Sequence, residues 1–196
     1  MLTIFIIFKE HTMKKLLATF VLAISTASAF ATTLGAGYEY MGVASQVGKT
    51  QQEKQTVSLL QVTNYGTVDG ALTYDRTNGT QGNQNGYELG YSYPVSVAGL
   101  SVTPRVVIGD VGTLNADGHF AGVGAEVRYP MFGLNTFAGA EYRLNAANAA
   151  INQKTYQVGA DFAVNKAVSI RVALKHANLS NVEFQNGAAA TVKYSF

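Results

Sequence analysis

From Asn186 to the C-terminus the side chains sort by parity. Ala188, Ala190, Val192, Tyr194 and Phe196 fall on one face, and Gly187, Ala189, Thr191, Lys193 and Ser195 on the other. A period of two marks a β-strand with one apolar and one polar face. The alternation recurs upstream and gives ten candidate segments, at 34–43, 56–64, 68–76, 86–95, 100–110, 119–129, 134–145, 155–164, 168–177 and 187–196. Eight is the alternative count if two of them are over-split. After Ala31 no apolar run reaches the roughly 20 residues that a membrane-crossing helix needs. If such a chain enters a bilayer it does so as a closed barrel, where every backbone donor and acceptor pairs between strands.

The N-terminus reads as a targeting region. Met13, Lys14 and Lys15 open a basic start, residues 16–24 are apolar, and residues 25–31 are small. Ala29-Phe30-Ala31 fits an A-x-A cleavage site with Thr32 as the first mature residue, and cleavage after Ala29 is the alternative. Residues 1–12 read as an extension from a start codon set too early, which leaves 13–31 as signal peptide and 32–196 as the barrel. A single anchor over 2–31 fails, because the charges from Lys9 to Lys15 cut it in two. Removing residues 1–31 takes away three of the 14 bases and one of the 12 acids, leaving eleven of each. The mature chain is therefore near neutral, and its charge is no argument for nucleic-acid binding. The absence of cysteine excludes disulfides, thiolate metal sites and cysteine nucleophiles.

Parity assigns the two walls. The outward set is Leu34, Ala36, Tyr38 and Tyr40; Val68, Leu72 and Tyr74; Tyr87, Leu89, Tyr91 and Tyr93; Val102, Val106 and Ile108; Val123, Ala125, Val127 and Tyr129. Ala138, Ala140, Tyr142 and Leu144, then Tyr156, Val158 and Phe162, then Ile170, Val172 and Leu174 complete it. Tyrosines near strand ends suit an interfacial aromatic girdle. The opposite parity collects Glu39, Asp69, Asp75, Glu88, Arg105, Glu126, Arg128, Glu141, Arg143, Asp161, Arg171, Lys175 and Lys193. A charge facing lipid at the midplane costs about 2 to 4 kcal/mol, so these residues are expected in the lumen. Glu126/Arg128 and Glu141/Arg143 lie on consecutive strands, where cross-strand ion pairs are available. Residues 56–64 break the pattern, with Val57 and Leu59 on one parity and Leu60 and Val62 on the other, which points to a bulge.

Connections alternate in length. The short ones are 65–67, 96–99, 130–133 and 165–167, and the longer polar ones are 44–55, 77–85, 111–118, 146–154 and 178–186. Tyr93-Pro94 and Tyr129-Pro130 each close a segment before a short turn, where a missing ladder donor is harmless. A barrel of about ten strands is close to the size at which side chains fill the interior. The mixed-sign lumen is then either side-chain-filled or a narrow polar conduit.

Through this pattern, over the whole mature chain, and through its aromatic-terminated last strand, the sequence resembles the small outer-membrane β-barrel proteins of Gram-negative bacteria, of the OmpX and OmpA transmembrane or porin-like kind. The resemblance implies an all-β, closed, antiparallel up-and-down transmembrane barrel in the bacterial outer membrane, with short turns toward the periplasm. It also implies contact with outer-membrane lipids and lipopolysaccharide, and recognition of Val192, Tyr194 and Phe196 by the barrel assembly machinery. The role it implies is non-enzymatic, as a structural or surface protein, with a narrow-pore porin-like channel as the alternative.

Two weaker likenesses concern chemistry. Residues 175–181, followed by Asn186-Gly187, are similar to the tail of lipid A deacylases, in which an outward His is the base, a nearby Ser the nucleophile, and a carboxylate on the last strand orients them. His176 takes the His position, but Asn178 stands where the Ser belongs, and Ala188, Ala190 and Val192 offer no carboxylate. Ser180 shares the parity of His176, about 13 Å further along an extended strand. Asp117-Gly118-His119 lies at the rim where the omptin proteases place Asp and His pairs, and a polar loop tip explains the same residues. With only His119 and His176 left after processing, neither a metal site nor a cofactor is expected.

Overall fold

The computed structural model describes residues 32–45, 48–78, 83–111, 118–146, 152–179 and 183–196. The leader, its cleavage residues Ala29 and Ala31, and also Asp117 and Ser180, lie outside the described residues. The strands are β1 (Thr32–Ser45), β2 (Gly48–Thr63), β3 (Gly66–Asn78), β4 (Asn83–Ser92), β5 (Val95–Val97), β6 (Leu100–Val111), β7 (His119–Met131), β8 (Leu134–Asn145), β9 (Gln153–Ala163), β10 (Val168–Leu179) and β11 (Glu183–Ser195).

All pairings are antiparallel, each strand pairs with its neighbours in sequence except that β4 pairs with β6 and not with β5, and β1 pairs with β11. Because β4 and β5 both pair with β6 in one register, they are two halves of a single barrel strand. The ring therefore closes with ten strand positions. Following Cα partners around it from Thr32, through Gln61, Val68, Tyr91, Val106, Val123, Tyr142, Lys154, Asn178 and Phe184, returns to β1 at Ala44. That twelve-residue stagger over ten strands fixes a strand tilt of about 40° and a backbone radius of about 10 Å.

The β4/β5 break has a chemical cause. Tyr93 donates its N–H to the Pro104 carbonyl across the ladder at 3.2 Å, and the reciprocal bond cannot form because Pro104 has no N–H. The expected segment 86–95 is thus two strands. Pro130, by contrast, lies inside β7 opposite Asn135 rather than closing the strand before its turn. Two hairpins turn on Ala98-Gly99 and Phe132-Gly133, all four at positive φ (51°, 81°, 54° and 76°). Both central residues of a type I′ turn need that conformation, whose twist matches the flanking strands.

Two expectations from sequence are corrected. No bulge interrupts β2, which keeps one register with β1 and with β3 throughout. Val57 and Leu59 face outward and Leu60 sits inside, opposite Asp69. Nor is 44–55 a loop, since β1 and β2 stay paired as far as Ser45 and Gly48. In that upper hairpin Gln51, Glu53 and Gln55 share the outward parity, so the wall there is polar on both sides.

Elsewhere the outward wall is apolar and uncovered. Leu174 is 66% exposed, Ile108 58% and Val158 55%, whereas the inward Met41, Val107, Phe137 and Ala177 are buried. Tyr40, Tyr87 and Tyr156 lie toward the long connections, and Tyr91, Tyr93, Tyr129, Phe162, Tyr194 and Phe196 toward the short turns. All are exposed. A continuous apolar belt between two aromatic girdles is a surface for lipid, since soluble monomers rarely expose apolar patches beyond a few hundred Å².

Candidate functional site in the barrel interior

Arginines on β6 and β8 organise the interior. Arg105 donates from Nη2 to Asp69 Oδ2 on β3 at 2.6 Å and to Glu88 Oε1 on β4 at 2.5 Å, and from Nη1 to Glu141 Oε2 on β8 at 2.7 Å. Arg143 donates from Nε to Glu141 Oε1 at 2.5 Å and from Nη2 to Glu88 Oε2 at 2.7 Å. Two guanidinium groups thus face three carboxylates.

A second cluster inverts the count. Arg171 reaches Glu126 Oε1 at 2.8 Å and Asp161 Oδ1 at 3.1 Å. Arg128 lies 2.6 Å from Glu126 and 3.6 Å from Asp161, and Lys193 stands 3.9 Å from Asp161. Here three cations face two carboxylates, so the small surplus of each cluster is offset by the other. Toward the long connections Lys175 pairs with Glu39, which stands in a cross-strand row with Lys54 and Asp75.

The cross-strand pairs expected between Glu126/Arg128 and Glu141/Arg143 do not form. The register sets Glu126 against Gly139, Arg128 against Phe137, Glu141 against Gly124 and Arg143 against Gly122. Each arginine instead folds onto the glutamate two residues away on its own strand and reaches across the lumen with its remaining donors. Glycine opposite a long side chain leaves the space for this.

Two inward aromatics escaped the parity reading. Phe120 lies against Gly109 of β6, with the Arg143 guanidinium 4.6 Å above its ring, and Phe137 lies against Gly159 of β9, with Arg171 at 3.7 Å. A Cβ at Gly109 or Gly159 would come within 2.7 Å of the ring. Each phenyl is held between a bare backbone and a cation, an arrangement worth about 1 kcal/mol or more when desolvated. A Phe at charged parity opposite a Gly was the available signal.

On the outer wall, His176 Nδ1 lies 2.8 Å from Asn186 Oδ1, its register partner on β11, and the imidazole stacks on Tyr156 at 6.3 Å between centroids. The described outward positions of β11 run Asn186, Ala188, Ala190, Val192 and Tyr194, so this face of the strand supplies no acid to orient the imidazole. His119 pairs with Asp110 at 2.8 Å, its register partner on β6.

No protein-family model matches the sequence, and no curated protein matches it. Solved structures do match in fold. The COG4313 outer membrane channel from Pseudomonas putida F1 superposes with a TM-score of 0.58 at 11% identity, covering 85% of this chain and 96% of that one. The transport unit of the autotransporter AIDA-I from Escherichia coli gives 0.53 at 11% identity, covering 85% and 90%. The β-domain of the Bordetella autotransporter BrkA gives 0.52 at 11% identity, covering 86% and 100%. The chain has the fold of a bacterial outer-membrane β-barrel. At such identities the likeness is one of architecture, and the apolar belt with its girdles is what an outer-membrane barrel presents to lipid. In this barrel Val192 and Tyr194 of β11 are exposed on the outer wall, as is Phe196 just past its end, with the last two rings edge to face at 4.9 Å.

Proposed function

We propose that this outer-membrane barrel is a non-enzymatic structural or surface protein whose lumen is closed by its own ion-paired side chains. The observation that carries the reading is that the ion pairs run as chords. Arg143–Glu88 joins β8 to β4, and Arg171–Glu126 joins β10 to β7, each skipping the strands between. With about 10 Å from axis to backbone, long side chains from strands three positions apart meet inside the ring. The interior charges keep a little solvent contact, 12% for Glu88 and 23% for Arg105, so the plug is damp rather than dry. As part of the same reading, Val192, Tyr194 and Phe196 form the segment that the assembly machinery recognises, and residues 13–31 form the signal peptide that is removed on export.

Planar-bilayer recording tests the closed lumen. The wild-type barrel is expected to give no discrete conductance steps, whereas regular steps of one size would establish the narrow-pore alternative. The enzymatic alternative has its own readout. Lipid A extracted from an outer membrane that contains the barrel is expected to keep its mass. A loss of one acyl chain that disappears with His176→Ala would instead make the protein a deacylase.

A further inference from the structure

The geometry points to a binding site for a phosphorylated lipid on the outer wall, built around Lys154 of β9. Two hollows of about 220 and 240 Å³ adjoin there, and Tyr142 and Lys154 line both. The upper hollow, toward the long connections, adds Asn178 and Asn152, the Asn152 amide accepting from Asn145 N–H at 2.9 Å and donating to the Tyr142 hydroxyl at 3.5 Å. The lower one adds Val123, Ala140, Glu141 and Tyr156 and opens onto the apolar belt, the Glu141 carboxylate being turned inward onto Arg105 and Arg143. Ala140 pairs with Tyr156 across β8 and β9 and with Ala125 across β7 and β8, and these small side chains between larger neighbours leave the depression.

Lys154 lies on the outward parity, between its register partners Tyr142 and Asn178. Its ammonium stands 5.8 Å over the Tyr142 ring, and among the described residues no carboxylate lies within ion-pair distance of it. A cation at the height of the upper girdle, with the Asn178 amide beside it and an apolar hollow below, matches one kind of molecule. The match is a lipid with an anionic, oxygen-rich head and acyl chains, and lysine binds phosphate as a compact point charge. The occupant is a phosphorylated glycolipid of the outer leaflet. The assignment deepens the proposed function and rests on one part of it, that the long connections face outward.

Native mass spectrometry of the full-length barrel in detergent, titrated with bis-phosphorylated lipid A and with its dephosphorylated form, tests the site. One saturable adduct is expected with the phosphorylated lipid and a clearly weaker one without phosphate. Lys154→Gln is expected to weaken the phosphorylated adduct about tenfold, the scale of one lost charge-assisted contact. Arg76→Gln, an outward cation on the far side of the ring, is expected to leave it unchanged. Equal affinity for the two lipids, or for wild type and Lys154→Gln, overturns the site. Orientation is read separately, because the chain has no cysteine of its own. An impermeant maleimide is expected to label Ala146→Cys in intact cells but not Phe132→Cys. The opposite labelling would remove the outward orientation while leaving the titration in detergent interpretable.

Discussion

Replacing Arg105 by alanine is expected to lower the unfolding free energy of the barrel by about 3 to 5 kcal/mol, the cost of breaking a buried ion pair by removing one partner. The substitution strands three carboxylates at once, Asp69, Glu88 and Glu141, whose side chains are only 17%, 12% and 19% exposed. Arg143 still neutralises part of Glu88 and Glu141, but Asp69 loses both of its hydrogen bonds from the guanidinium. Arg105→Lys keeps the charge and forfeits the planar fork, so an intermediate loss is expected. The measurement is a urea series on refolded protein, with the folded fraction read from the electrophoretic mobility of unheated samples. Arg76→Ala, at the exposed outer rim, is the control and is expected to change stability by no more than about 0.5 kcal/mol. A loss at Arg105 as small as that control would mean that water already solvates the cluster and that the lumen is open.

The second large effect concerns the other wall. Val158→Arg is expected to destabilise the barrel in a bilayer by about 2 to 4 kcal/mol. Val158 is 55% exposed and sits between its outward register partners Ala138 and Leu174, inside the apolar belt, two residues from Tyr156 of the upper girdle and four from Phe162 of the lower one. On the surface of a water-soluble sheet the same change would be close to neutral. Depth should grade the effect: Tyr156→Arg, two residues nearer the upper rim, is expected to cost distinctly less, because the guanidinium there reaches the headgroups. The same urea series in lipid vesicles measures both. Equal, negligible costs at the two depths would remove the lipid from the account.

What the sequence made legible follows from the two media that the wall separates. Where hydrocarbon lies outside and charge inside, every second residue differs in kind, and the ten strand positions and both faces follow from that alternation. Above the bilayer both faces see water, and the signal disappears. For this reason the polar run Gln51-Gln52-Glu53-Lys54-Gln55 looked like a loop although it continues β2. Leu60 misled in the opposite way, since an apolar side chain at lumen parity imitates a slipped register. The two halves of the strand containing Tyr93 and Pro94 separate because of Pro104, a residue on the neighbouring strand, and no reading of one segment by itself contains that information.

The ion partners were beyond reach for a geometric reason. Parity puts Arg105 and Glu141 on the same wall, but which carboxylate lies level with which guanidinium depends on the stagger around the ring, and a single strand does not reveal it. The same stagger decides that glycines rather than charges face Glu126, Glu141 and Arg143 across the β7–β8 ladder. His176 was placed correctly on the outward face by parity, while its bond to Asn186 required the β10–β11 register.

The most direct test follows a spin label along β9. With no native cysteine to remove, single cysteines at positions 155 to 162 can carry a nitroxide, one at a time, in barrels reconstituted into vesicles. A wall with lipid on one side gives a period-two oscillation in collision with dissolved oxygen, which concentrates in hydrocarbon, with maxima expected at 156, 158, 160 and 162 and minima between. A polar nickel chelate should show no access at those maxima. A flat profile, or maxima at 157, 159 and 161, would contradict that arrangement.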